Sequence, residues 1–136
     1  MSSNNKLTVF LADDSALIRE RLQSLLTEIT GVAVIGQAGD GIVAVNSVRE
    51  LNPDVVVLDI SMPGKNCLDV LQEVKKFEPA PCVIVLTSHP NPQYRGKCLG
   101  MGADHFLDKS TDFDRLPGII KQLGRKNGRQ RDLKEC

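Results

Sequence analysis

The chain has no excess of either charge, no long apolar run and no paired-cysteine motif. Lysine and arginine total 17, aspartate and glutamate also 17, so the formal net charge is zero. That balance argues against a chain-wide field for nucleic acid or membrane. No apolar stretch approaches the ~20 residues a membrane helix needs. The opening Met-Ser-Ser-Asn-Asn-Lys does not read as a secretory signal. The four cysteines (Cys67, Cys82, Cys98 and Cys136) include no CxxC pair and no histidine at metal spacing. A disulfide framework is therefore not expected, and reduced thiols in a cytoplasmic protein are. GxGxxG and GxxxxGK[ST] are both missing, which removes the common nucleotide-binding loops.

What remains is ordinary globular composition: 136 residues, 41% hydrophobic and 25% charged, enough for one domain with a core of its own. Short runs rich in β-branched residues occur at Leu7–Ala12, Val32–Ala38, Val55–Leu58, Cys82–Leu86 and, more weakly, His105–Leu107. The third and fourth are apolar without alternation, as parallel strands covered on both faces should be. Between them lie stripes at helical spacing: Ile18, Leu22, Leu25, Leu26 and Ile29; Val45, Val48 and Leu51; Leu68, Leu71 and Val74.

Punctuation supports these breaks. Asn52-Pro53 ends the second helix, and Pro79–Pro81 parts the third helix from the fourth strand. Asn91-Pro92 reads as an N-cap followed by proline at the first helical position. The helix it opens contains Gly96 and Gly100, each costing up to ~1 kcal/mol against alanine, so it should be the weakest. Pro117 is tolerable only in a first turn, which places the last helix start near Asp114. Five βα units imply an α/β fold, a flavodoxin-like (βα)5 three-layer sandwich with a parallel sheet of order 2-1-3-4-5.

In such a sheet ligands gather at the carboxyl ends of the strands. Here the first strand runs into Asp13-Asp14-Ser15 and the third ends in Asp59. The fourth ends in Thr87-Ser88, and Asp108-Lys109 follows the fifth. Carboxylates crowded on one rim raise one another's pKa unless a cation compensates. Lys109 supplies part of that compensation, and Mg2+ with oxygen ligands suits the rest. Asp59 is then placed to act as a carboxylate nucleophile in phosphoryl transfer, with Thr87 and Lys109 as partners. Taken singly, Asp14 or Ser15 could merely cap a helix, Thr87 could be a strand residue and Lys109 a solvated one. Taken together on four strand ends, they read as a site.

These residues resemble the receiver domains of bacterial two-component response regulators. The resemblance spans about residues 6–123 and rests on Asp13-Asp14, on Asp59 in VVVLDISMP, on Thr87-Ser88 after CVIVL, and on Lys109-Ser110 after HFLD. LADDSALIRERL and GQAGDGIVAV look most like receivers that carry a LuxR-type helix-turn-helix output. The resemblance implies that Asp59 accepts a phosphoryl group from a sensor histidine kinase or phosphotransfer protein. It implies Mg2+ held by Asp14, Asp59 and the Ser61 carbonyl, with Asp13 acting through water. Thr87 and Lys109 would contact the phosphoryl oxygens, and Thr87 with Phe106 would form the switch, Phe106 standing where a tyrosine is frequent. Ser61 and His89 occupy positions that tune phosphoryl lifetime in this family. A homodimer or a downstream protein would dock on the face of the fourth helix, fifth strand and fifth helix.

One residue departs from the family pattern. Eight positions past Asp59, where glycine is usual, stands Cys67. Glycine permits a backbone conformation that a β-carbon penalises, so the third helix is expected to start differently. Residues 1–123 carry 12 basic and 15 acidic side chains, net −3, and residues 124–136 carry 5 and 2, net +3. The expected organisation is a receiver domain over 1–123 and a solvated basic tail over 124–136. The chain is thus expected to be a phosphorylation switch and no enzyme beyond taking up and losing a phosphoryl group. It would bind neither membrane nor, by itself, nucleic acid. The rivals are the receiver half of a DNA-binding transcription regulator, a pseudo-receiver that binds partners without phosphorylation, and a Mg2+-dependent phosphohydrolase. The last lacks its general acid, because position 61 is serine.

Overall fold

The computed structural model describes residues 6–88 and 91–127. His89 and the tail beyond residue 127 lie outside the described residues. Five strands alternate with five helices: β1 (Leu7–Ala12), α1 (Ala16–Thr27), β2 (Val32–Ala38), α2 (Gly41–Leu51), β3 (Val55–Leu58), α3 (Cys67–Val74), β4 (Cys82–Thr87), α4 (Pro92–Gly100), β5 (His105–Asp108) and α5 (Leu116–Asn127). All strand pairs are parallel and the sheet order is β2-β1-β3-β4-β5. This is the flavodoxin-like order expected from the sequence.

Strand alternation divides the core in two. On β1, Phe10 and Ala12 face a cluster with Val45 and Val48 of α2, Leu71 and Val74 of α3, and Cys98 of α4. Leu7, Val9 and Leu11 face the other layer, with Leu22 and Leu26 of α1 and Leu116 and Ile120 of α5. β3 and β4 are buried along their whole length, which is why neither reads as alternating. The sheet is therefore sandwiched between α2, α3 and α4 on one face and α1 and α5 on the other.

Helix starts follow their caps. The Ser15, Asp40 and Asn66 side chains accept backbone N–H bonds from Ile18, Val43 and Asp69, and Asn91 accepts from Gln93 and Tyr94 ahead of Pro92. Asn52 ends α2 in the left-handed conformation, φ 52°, which asparagine tolerates better than most non-glycine residues.

Three details differ from expectation. Leu51, placed in the α2 stripe, is 43% exposed, because it is the last helical residue and only its tip reaches over Gly36. The last helix does not begin at Asp114: a single 3-10 turn, Phe113–Arg115, precedes α5 at Leu116. Pro117 is then the second residue of α5, where no intrahelical N–H bond is lost. Cys67 incurs no β-carbon penalty, since Asn52 is the only non-glycine residue with positive φ among the described residues. Cys67 simply opens α3 behind its Asn66 cap.

Candidate functional site

Backbone bonds between neighbouring strand ends assemble the rim. The Asp59 N–H donates to the Ala12 carbonyl at 2.9 Å, the Asp13 N–H to Ala38 at 3.0 Å, and the Lys109 N–H to Thr87 at 2.7 Å. Asp13, Asp59 and Lys109 are thus each the first residue past a strand, registered by the strand beside it, and Thr87 is the last residue of its own.

Asp13, Asp14 and Asp59 each present a carboxylate oxygen within 4.8 Å of the others. Asp13 and Asp59 are buried, at 2% and 3% exposure, whereas Asp14 faces solvent. The Lys109 ammonium bridges the buried pair, 2.7 Å from Asp13 Oδ2 and 3.3 Å from Asp59 Oδ1. Asp13 Oδ1 accepts the Ser15 N–H at 2.9 Å. Both Asp13 oxygens therefore have protein partners.

The electrostatics follow from that packing. Burial pushes the Asp59 carboxyl above the usual 3.8, Asp13 adds to the rise, and Lys109 only partly offsets it. Burial works against the Lys109 ammonium, yet its bond to Asp13 and the charges of Asp59 and Asp13 outweigh burial and raise its pKa. One ammonium pairs with two of the three carboxylates, leaving negative charge on the rim. A hard divalent cation with oxygen ligands and retained waters fits this donor set.

Thr87 is 1% exposed at the end of β4, on the rim with Lys109. Its neighbour Ser88 is exposed. Lys109 is held from both sides: the Asp108 N–H bonds the Asp112 carboxylate at 3.0 Å, and the Ser110 N–H bonds that of Asp108 at 2.8 Å. Phe106 pairs with Val85 across β4 and β5 and lies partly buried against the α2–α3–α4 layer. Ser61 is exposed in the loop after Asp59, followed by buried Met62.

Some participants were not singled out in the sequence. The Arg19 guanidinium donates to the Asp13 carbonyl and to Gln37, tying α1 and β2 to the acid pair. Cys67 and Cys98 lie in the same buried cluster between the sheet and α2, α3 and α4, and their thiols interact. Burial, more than the neighbouring Cys98, pushes the Cys67 thiol well above its ordinary range. Nothing in a linear sequence signals a thiol pair 31 positions apart.

The sequence profile of the response regulator receiver domain matches residues 9–121. Curated relatives include a protein-glutamate methylesterase/protein-glutamine glutaminase of Rhizobium johnstonii, 36% identical over 117 residues, covering 85% of this chain and 32% of that protein. A counterpart in Rhizobium etli is 40% identical over 110 residues, covering 80% and 32%. The chain spans about a third of the length of these relatives. Among solved structures, the signal receiver domain of the putative response regulator NarL from Mycobacterium tuberculosis superposes with a TM-score of 0.81 at 29% identity, covering 88% of this chain and 97% of that one. The response regulator domain of Thermotoga maritima CheB gives 0.77 at 29%, covering 91% and 97%.

Proposed function

This chain belongs to the response regulator receiver domain family, and on that footing we propose that Asp59 is its phosphoacceptor. The observation that carries the assignment is Lys109 lying between Asp13 and Asp59, at 2.7 and 3.3 Å. A buried carboxylate at a strand end with one ammonium against it is poised to gain three further anionic oxygens only if positive charge is added.

The donor is a phosphohistidine of a sensor histidine kinase or phosphotransfer protein. An Asp59 oxygen attacks phosphorus, the P–N bond breaks, and the imidazole leaves with its electron pair and is protonated. Lys109 then turns part of its charge from Asp59 to the new phosphoryl oxygens, and the Thr87 hydroxyl donates to another. Hydrolysis closes the cycle: water adds to phosphorus, the P–O bond to Asp59 breaks, inorganic phosphate and a proton leave, and Asp59 returns as the carboxylate. Ser61 and His89, two residues past Asp59 and Thr87, tune how fast that water arrives.

Mg2+ supplies charge neutralisation and orientation of the phosphoryl oxygens when bound. Asp14, Asp59 and the Ser61 carbonyl would hold it, and Asp13 would act through water, because both of its oxygens already have partners.

The readout is a change in partner binding on the α4–β5–α5 face, with Thr87 and Phe106 as the moving parts and a downstream protein or a second copy of the chain as the occupant. The chain's own chemistry is limited to phosphoryl uptake and loss. Residues 1–123 constitute the receiver and 124–136 a basic segment whose first four residues continue α5, and the working location is the cytoplasm. Among the described residues no helix is long and apolar enough to cross a membrane.

Intact mass after incubation with Mg2+ and acetyl phosphate tests the assignment. A gain of one phosphate that is lost in Asp59→Asn supports it. No gain in the wild type with acetyl phosphate or a phosphorylated donor protein overturns it in favour of a binding module.

A further inference from the structure

The loop that leaves Asp59 is gripped from the side by α2, and the grip depends on a glycine. The Gly41 N–H donates to the Pro63 carbonyl at 2.9 Å. Gly41 is buried, and a β-carbon there would overlap the Lys65 carbonyl oxygen and sit 2.8 Å from Lys65 Cβ. The Asp40 carboxylate, which caps α2 through the Val43 N–H at 2.9 Å, lies over Gly64. A β-carbon on Gly64 would stand 3.3 Å from the Asp40 carboxyl, and Gly64 itself has φ +88°, a conformation suited to glycine. The far end of the loop is anchored to α3 by the Lys65–Glu73 ion pair at 2.6 Å and by the Asn66 cap. Buried Met62 pins its middle. Ser61 is thus exposed between partly buried Ile60 and buried Met62, one residue ahead of the Met62 anchor and two ahead of the gripped Pro63–Lys65 segment.

We propose that Gly41, with Asp40 beside it, is a positioning residue for the metal and phosphoryl site, clasping Pro63–Lys65 so that the Ser61 carbonyl is held toward Asp59. The inference rests on the reading of Asp59 and Ser61 given above. Neither Gly41 nor Asp40 touches the reacting atoms; both act through the loop backbone. Because the Gly41 neighbour is a backbone carbonyl and not a flexible side-chain tip, any side chain at 41 must displace the loop or the first turn of α2.

The test is Mg2+ titration of the full chain by amide chemical shifts, with thermal unfolding in metal-free buffer alongside. Gly41→Ala is expected to bind Mg2+ about tenfold more weakly, as for loss of a group that orients a metal ligand. Its phosphorylation by acetyl phosphate should recover at saturating Mg2+, and an unfolding midpoint well above the assay temperature separates this shift from a loss of folded protein. Asp40→Ala removes the carboxylate without adding bulk, so it folds even if Gly41→Ala does not, and it should weaken Mg2+ by at least about twofold. Ile42→Ala, on the same turn but 51% exposed, should leave Mg2+ affinity unchanged. Wild-type affinity in folded Gly41→Ala, or in Asp40→Ala where Gly41→Ala fails to fold, overturns the clasp while leaving the Asp59 assignment standing. Equal weakening in Ile42→Ala also overturns it. A wild-type chain that takes up no Mg2+ overturns both readings.

Discussion

The Lys109 ammonium lies 3.3 Å from the Asp59 carboxylate, close enough to share its charge but farther than its 2.7 Å bond to Asp13. Asp59 is consequently the less compensated of the two buried acids, and burial and Asp13 together hold its pKa up. A nucleophile that is buried, ionisable and incompletely neutralised costs stability in the resting protein and gains most from an added cation.

Removing either partner should move stability in opposite directions. Asp59→Asn keeps the shape and deletes the unfavourable charge, so metal-free protein should gain about 1 kcal/mol. Lys109→Met leaves Asp13 and Asp59 facing each other without a cation and should lose about 1–3 kcal/mol. Urea unfolding of the three proteins in metal-free buffer measures both changes. Asp59→Asn less stable than wild type would show that the charge is better solvated than its burial indicates.

The pH dependence has a definite sign. A carboxyl whose folded pKa is raised binds its proton more tightly in the folded than in the unfolded state. Its contribution to stability is therefore fully present below the usual carboxylate value of 3.8 and is lost as pH rises through the higher folded value. Wild type and Asp59→Asn should unfold at temperatures that converge toward acid and separate as pH climbs above 3.8, the wild type falling behind. Mg2+ binding, which needs the carboxylate, should strengthen over the same interval. A separation that stays constant with pH would remove Asp59 as its source.

The fold and the acid rim were legible because both depend on local signals. VVVL and CVIVL announce buried parallel strands, and strand ends in a parallel sheet converge whatever the helices do. Asp13, Asp14, Asp59, Thr87 and Lys109 could thus be gathered from linear positions alone. The Gly41–Lys65 approach, the Arg19 bond to Gln37 and the Cys67–Cys98 pair each join residues from different βα units through side-chain or loop packing, which has no period to read. The misplaced end of the α2 stripe at Leu51 has the same origin. Helical spacing gives the direction of a side chain, but whether its neighbours extend far enough to cover it depends on the sheet edge.

Cys67 offers a case where the family's usual residue should be the worse one. Its thiol is fully buried against Cys98 at the first residue of α3, so truncation leaves a void. Cys67→Ala should cost about 1 kcal/mol, and Cys67→Gly, which also frees the backbone, about 2 kcal/mol. In the native wild type, burial and the raised pKa should keep Cys67 from alkylation by iodoacetamide until unfolding exposes it. Denaturant midpoints and peptide mass mapping read the two outcomes. A Cys67→Gly protein as stable as wild type would mean the neighbouring side chains close the void.

α4 buries only Cys98 fully, and it carries Gly96 at a position where a β-carbon would meet nothing within 4 Å. Its cap is sound, with Asn91 accepting two N–H bonds ahead of Pro92, so its weakness lies in the middle and in scant burial rather than at its start. Alanine at 96 restricts the unfolded chain and improves helix propensity without a clash, which should stabilise the protein by about 0.5–1 kcal/mol. Amide exchange in α4 should slow correspondingly, since a helix with few buried contacts opens locally before the domain unfolds. If switching proceeds through that local opening, Gly96→Ala should take up phosphate at Asp59 as wild type does yet show a smaller change in α4 amide shifts on phosphorylation. Undiminished shift changes alongside slowed exchange would place the switch elsewhere than in the loosening of α4.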